Sequence, residues 1–481
     1  MTSAARRGRV LRSSVWKAGA ALLVLAGMLA ATPAASASSL KVTPPDRAST
    51  SSRGVTKGEI NVVFPVVNLQ ALSAQLGFAG DVEYTEQGKA ISLFVNHIND
   101  SGGIDGRKIN AMIRFFDPES DANMDALCRQ WTEGSPAVFA VLDGVGDWSG
   151  DPQLCVTQQG HTPFLAQWTT VSDWTTAGSP YLWWTGPDDA AILQAVVSWG
   201  HSSGLLGGTR KVGIIAGDRA TDQLALDQYL LPDLERIGVT PTVETIAANP
   251  SESAETGSEA PIIIEKLKAA GVTSVIPLMP FNAFLPVLVA QNSQHYYPRL
   301  LLSDYEESIE SSLGLIPVPF EKELNGQEGV TTETLGGVDD DRPQAKGGYD
   351  PGVRSCWDIW HKAYPQTPKG NMNDFIEEQG PVQGWCQEID LFAKAATLAG
   401  RNLNRRTFVE AMSHITNDPG GYAPLFSFGP DKFFGPTEYQ VVKLHNNQPP
   451  SAMCRLPLGT LPPQGRCWHQ VQGWRPLPKV S

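Results

Sequence analysis

The stretch that most narrows what this chain can fold into is Ala137–Trp174, AVFAVLDGVGDWSGDPQLCVTQQGHTPFLAQWTTVSDW. Ala137–Leu142 is a short apolar run that stops at Asp143-Gly144, the form of a buried strand in a parallel sheet. A Gly-rich turn follows, then Trp148-Ser149-Gly150-Asp151-Pro152 and a polar segment of helix length. Thr162–Leu165 reads as a second strand, opening onto Trp168-Thr169-Thr170. Strand, turn, helix and strand make a βαβ unit. Ligands of such sheets collect where strand ends meet helix N-termini, because unpaired backbone N–H groups there attract anions. Ser149 and Thr169-Thr170 would sit on that rim with Trp148 and Trp168 beside them, an arrangement suited to binding. The same residues also suit a purely structural role, Ser149 as an N-cap and the indoles as core. Gly144-Val145-Gly146 lacks the third Gly of a dinucleotide fingerprint and does not open the first βα unit, so it is set aside.

The rest of the chain repeats the alternation. Ile60–Val67 and Ile109–Phe116 read as strands, and Glu86–Asn99 and Ala122–Trp131 as helices with one apolar face. A second series starts at Lys211–Ala216, followed by the loop Asp218-Arg219 and a helix carrying Leu226, Leu230, Leu234 and Ile237, which Pro232 should kink. Ile262–Ala270, Ser274–Met279 and Leu300–Ser303 continue as helix, strand and strand. Val353–Tyr364 and Gly384–Ala399 are helices. Such βα alternation predicts doubly wound sheets with helices on both faces.

Residues 1–37 have the layout of an export signal. Arg6, Arg7, Arg9, Arg12 and Lys17 precede the apolar run Ala18–Ala31, and Ala35-Ser36-Ala37 offers a cleavage site. The run is short for a membrane span. The Arg6-Arg7 pair is only a weak hint of twin-arginine export, because Gly8-Arg9 follows it. No Cys precedes Cys128, so no lipid-anchor Cys is expected, and the protein should be exported to the periplasm, the cell surface or the medium. Without this leader the chain carries 32 basic against 50 acidic side chains, a poor match for nucleic acid. Six cysteines suit an oxidising compartment. They allow about 15 connectivities; neighbouring elements favour Cys128 with Cys155, Cys356 with Cys386 and Cys454 with Cys467. Scattered histidines and the lack of C-x-x-C argue against a metal site. The tail Pro449–Ser481 holds seven prolines, and its composition argues against regular structure.

Phe94-Val95-Asn96-His97-Ile98-Asn99-Asp100-Ser101-Gly102-Gly103-Ile104-Asp105-Gly106-Arg107-Lys108-Ile109 resembles the "INA-GGI-GRKI" stretch of type 1 periplasmic binding proteins. Within them it is most similar to the leucine/isoleucine/valine-binding branch that feeds ABC importers. The resemblance continues along most of the chain after the leader and fades in Val67–Gly80, Asp304–Gly326 and the tail. It implies an α/β fold of two doubly wound parallel-sheet lobes joined by three crossover strands. Tyr181–Pro187 resembles the first crossover, Gly329–Leu335 the second, and Phe426–Phe428 the approach to the third. The implied organisation is a signal peptide at 1–37, a flexible lead at 38–57, lobe 1 at 58–182 and 332–424, lobe 2 at 183–331 and 425–448, and a disulfide-closed tail at 449–481.

The resemblance further implies a small-molecule ligand held between the lobes and a membrane permease as partner, with a monomer and no cofactor expected. Ser149 and Trp168-Thr169-Thr170 would take the ligand's carboxylate in lobe 1, with Trp148 lining the site beside them. Phe281, Asp304 and Tyr305 are the nearest matches for the aromatic and acidic groups that take its amine in lobe 2. Trp148 and Trp168 stand where branched-chain binders have small residues, which points to an amino acid or a larger, aromatic carboxylate-type ligand. A ligand-sensing receptor component would need a separate membrane partner, because nothing apolar enough for a span follows residue 37. A secreted hydrolase would need a nucleophile motif, and Asp147 stands where G-x-S-x-G requires Gly.

Overall fold

The computed structural model describes residues 48–67, 84–116, 121–143, 153–167, 170–309, 321–334, 350–365, 380–421, 423–445 and 467–479. The leader, Trp148, Ser149, Trp168, Thr169 and the Cys454 half of the expected tail disulfide lie outside them.

Strand β1 (Glu59–Val67) is apolar on both faces and buried along most of its length, as a central parallel strand must be. It pairs in parallel with β2 (Lys108–Phe116), Glu59 opposite Lys108 through Val67 opposite Phe116. β3 (Ala140–Asp143), β4 (Phe164–Ala166) and β5 (Leu182–Trp184) complete a parallel sheet of order β2-β1-β3-β4-β5. A second sheet repeats the winding. β6 (Val212–Gly217), β7 (Thr242–Ile246), β8 (Ser274–Leu278), β9 (Arg299–Ser303) and β10 (Glu328–Thr331) lie parallel in the order β10-β9-β8-β6-β7. In each sheet the order reverses beside the first strand, between β1 and β3 and between β6 and β8. Open α/β sheets form crevices at such points.

The helices show which segments belong to which sheet. Helix Asp189–Ser202, entered through the N-cap Asp188, packs on β9 and β10. Helices Pro351–Ala363 and Gly380–Ala399 come after β10 in sequence yet pack on helix Tyr84–Asp100 beside the first sheet. The chain therefore crosses between the lobes after β5, after β10 and again before β11 (Glu438–His445). The first and third crossings are stitched together, Trp184 N donating to Phe433 O and Gly435 N to Trp184 O, both at 2.9 Å. Trp183 is clasped by Phe428 and Phe433, with ring centroids 5.6 and 4.9 Å away. The second and third are tied by Gln440 Nε2, which donates to Glu333 O at 2.8 Å.

The break at Pro232 takes a specific form. The helix runs as Ala220–Ala225, widens into a π-turn at Leu226–Leu230, and resumes as Leu231–Arg236. Proline lacks an N–H and its ring crowds the carbonyl four residues back, so the wider turn relieves the clash. Two of the expected disulfides are present. Cys128–Cys155 ties helix Asp121–Glu133 to the π-turn Cys155–Gln159, and Cys356–Cys386 joins helices Pro351–Ala363 and Gly380–Ala399.

The tail departs from expectation. Instead of lacking regular structure throughout, it forms β12 (Cys467–Pro476), which pairs antiparallel with β11 and extends the second sheet. Only Pro476 falls within this strand. The reason is tertiary: β11 runs antiparallel to β10 and would otherwise leave an open edge. β12 satisfies that edge and buries Trp468.

Candidate functional site

The C-terminal ends of the parallel strands carry the polar residues that meet between the lobes. From the first sheet come Gln167, just past β4, and Thr185, just past β5. From the second come Asp304 and Glu307, just past β9, and the second crossing adds Thr332 and Glu333. Together they border a narrow, solvent-connected opening with about 20 Å3 of free volume, room for roughly one water. Three of these groups are acidic, and no Lys or Arg borders the opening among the described residues. A second, roomier hollow of about 280 Å3 lies beside Cys356–Cys386. Its residues come from the helices and loops of one lobe, and its ammonium, Lys394, is already neutralised by Asp390 and Asp418. The opening between the lobes is the better candidate.

Asp304 is at that opening and is buried. Its carboxylate accepts from Thr332 N and Thr332 Oγ1, each at 2.7 Å, joining the end of β9 to the second crossing. Burial raises its pKa above the ordinary carboxylate value, and these hydrogen bonds oppose the rise. The turn behind it is braced by Glu306, whose carboxyl accepts from Ser303 N at 2.8 Å and from Ser308 Oγ at 2.7 Å. Burial pushes Glu306 up to about 8. Glu307 follows at φ 55°, a left-handed conformation uncommon outside glycine.

Tyr305 points elsewhere. Its hydroxyl donates to Asp222 Oδ1 at 2.6 Å, and Arg219 holds the same carboxylate through two bonds of 2.8 Å. Burial first, then the Asp222 charge, lifts the phenol well above its usual pKa. Phe281 opens helix Phe281–Ser293 beside β8, is buried in the apolar core, and is not among the residues that border the opening. Thr170 is buried, its carbonyl accepting from Asp189 N at 2.9 Å while its hydroxyl has no hydrogen-bond partner. Of the eight sequence-derived site residues, four lie outside the described residues, and Asp304 alone among the other four borders the opening.

Two features were not read from the sequence. Gln167 is 1% exposed, and neither its amide nitrogen nor its amide oxygen has a partner. A polar residue closing the apolar run Pro163-Phe164-Leu165-Ala166 was the available signal. The other is a contact between lobes. Tyr229, on the π-turn before Pro232, donates its hydroxyl at 2.6 Å to Asp173, on helix Ser172–Gly178 of the first lobe. Nearby, Ser172 Oγ donates to Asp188, which also accepts from Ala190 N at 2.8 Å.

A family model of periplasmic binding proteins matches residues 76–315. The chain belongs to the type 1 periplasmic binding protein family. No curated protein matches it by sequence. Among solved structures, a fatty acid ABC transporter substrate-binding protein from Thermomonospora curvata superposes with a TM-score of 0.61 at 17% identity, covering 88% of this chain and 93% of its own. A solute-binding protein of an ABC transporter from Rhodopseudomonas palustris BisB5, in complex with 3,4-dihydroxybenzoic acid, gives 0.61 at 13% identity, covering 88% and 98%. A branched-chain amino acid ABC transporter protein from Thermus thermophilus with bound valine gives 0.58 at 13%, covering 80% and 94%. At these identities the likeness shows the shared fold of this binding protein, and its ligand must be argued from its own residues.

Proposed function

We propose that this binding protein works outside the cytoplasm, capturing a small molecule between its lobes and delivering it to the membrane permease of an ABC importer. The observation that carries this reading is the convergence of Gln167, Asp304 and Thr332, from two sheets and a crossing, on one opening. A ligand seated there contacts both lobes and favours their closure, because it gains the full set of contacts only in the closed form. The carboxylates of Asp304, Glu307 and Glu333 suit a ligand amine. The loops after β3 and β4, with Trp148, Ser149, Trp168 and Thr169, supply the facing wall in this reading, and the indoles favour a ligand with a flat or bulky apolar part. The family and its importer neighbours support a binding role over catalysis.

Small-angle scattering of the exported protein with and without a saturating ligand, found by thermal-shift screening, tests this. The expected result is a smaller radius of gyration on binding and a large loss of affinity in Asp304→Ala. An unchanged scattering profile at saturation, with Asp304→Ala binding normally, overturns it.

A further inference from the structure

We propose that Gln167 is a specificity-determining residue that selects ligands carrying a neutral hydrogen-bonding group, a carboxamide or a hydroxyl, at the end facing lobe 1. This rests on the interlobe reading above and names the ligand class of that site. Gln167 emerges from β4 with its backbone N–H donating to Asp143 O at 3.1 Å. Its side chain lies against helix Gly380–Ala399 at Gly384, where an added Cβ would fall 1.9 Å from Gln167 Nε2. Glycine at 384 thus makes the space that the amide occupies. The side chain is buried, borders the opening, and has both its donor and its acceptor uncommitted. Leaving a buried amide unpaired is costly, and a partner that supplies both an acceptor and a donor removes the cost.

The surroundings decide which partner. One helical turn beyond Gly384, Glu388 is fully buried with both carboxyl oxygens unpartnered, and Asp143 ends the strand beside β4. Burial first, then the Asp143 charge, lifts the Glu388 carboxyl well above its usual range. A ligand carboxylate placed on Gln167 only accepts, so it would leave the amide oxygen without a donor, and no Lys or Arg among the described residues bordering the opening would neutralise its charge. A carboxamide or hydroxyl satisfies the Gln167 amide and brings no charge. With the acidic groups on the lobe 2 side, the class is an amine bearing a carboxamide or an alcohol.

Calorimetric titration of the exported protein with phenylalanine, phenylalaninamide, phenylalaninol and 3-phenylpropionate tests this, alongside Gln167→Met, which keeps the side-chain length and removes the amide. The expected result is at least tenfold tighter binding of the amide and the amino alcohol than of the amino acid. Gln167→Met should erase that preference, with a melting temperature no lower than that of the parent. Equal or tighter binding of the amino acid, an unchanged order in Gln167→Met, or a lower melting temperature in that variant overturns the assignment and leaves the interlobe site standing. Binding of 3-phenylpropionate alone, undisturbed by Asp304→Asn, overturns the amine reading as well. Binding of none of the four rejects the ligand class, while the scattering experiment decides the interlobe reading separately.

Discussion

Tyr229→Phe removes one oxygen from a bond that joins the two lobes. Tyr229 Oη donates to Asp173 Oδ2 at 2.6 Å, and both residues are half-buried. The phenol stays protonated at any ordinary pH, because burial and the Asp173 bond hold its pKa up. A hydrogen bond to a charged group contributes about 1.5–3 kcal/mol. Partial exposure selects the lower end, about 1.5 kcal/mol, or roughly a tenfold change in an equilibrium constant. The bond forms between lobes, so its loss acts on the balance of open and closed forms and leaves each lobe's own core alone. Affinity for a ligand that closes the protein should fall by about tenfold, since binding then works against a more open resting state. Asp173→Asn should act similarly, and the double variant should cost no more than either single change, because both remove one interaction. Titration calorimetry and scattering on the three variants measure this. Affinities within about twofold of the parent, or strictly additive losses, would refute the idea that this bond holds the lobes together.

Glu306 should make stability depend on pH. Its carboxyl is raised to about 8 in the folded protein from an ordinary value of 4.5, so its favourable contribution is complete below pH 4.5 and is lost as pH rises through 8. The full loss is at most about 4–5 kcal/mol, and Glu306→Gln should flatten the fall in melting temperature between about pH 5 and 8. Deleting the chain from residue 449 should lower the melting temperature and promote self-association, read by light scattering, because β11 then becomes an unprotected edge. Replacing Cys128 and Cys155 with Ser should cost about 3–4 kcal/mol by chain entropy, given their separation of 27 residues, and chemical denaturation measures it.

Much of the architecture was legible because it rests on local patterning. Runs such as Ile60–Val67 and Ser274–Met279 are apolar on both faces, and only a sheet covered by helices buries both. The spacing of Leu226, Leu230 and Leu234 marks a helix face, and Pro232 marks its break. The Gly-Gly-Ile-Asp-Gly-Arg motif carried the family.

What the sequence did not display depends on pairs of residues far apart in the chain. The tail looked irregular because composition reports prolines, whereas β12 is created by the unsatisfied edge of β11. Asp304 and Tyr305 are neighbours in sequence with alternative claims to the site, and the turn after β9 sends one carboxylate to Thr332 and the other side chain to Asp222. The Gln167 amide acquires its place only because Gly384, more than two hundred residues later, leaves room for it. Local sequence determines which segments can be strands and helices, since φ/ψ preference and apolar periodicity act over a few residues. Which polar groups end up unpaired at a shared opening is decided by packing, because a group's partners are set by every element that reaches it.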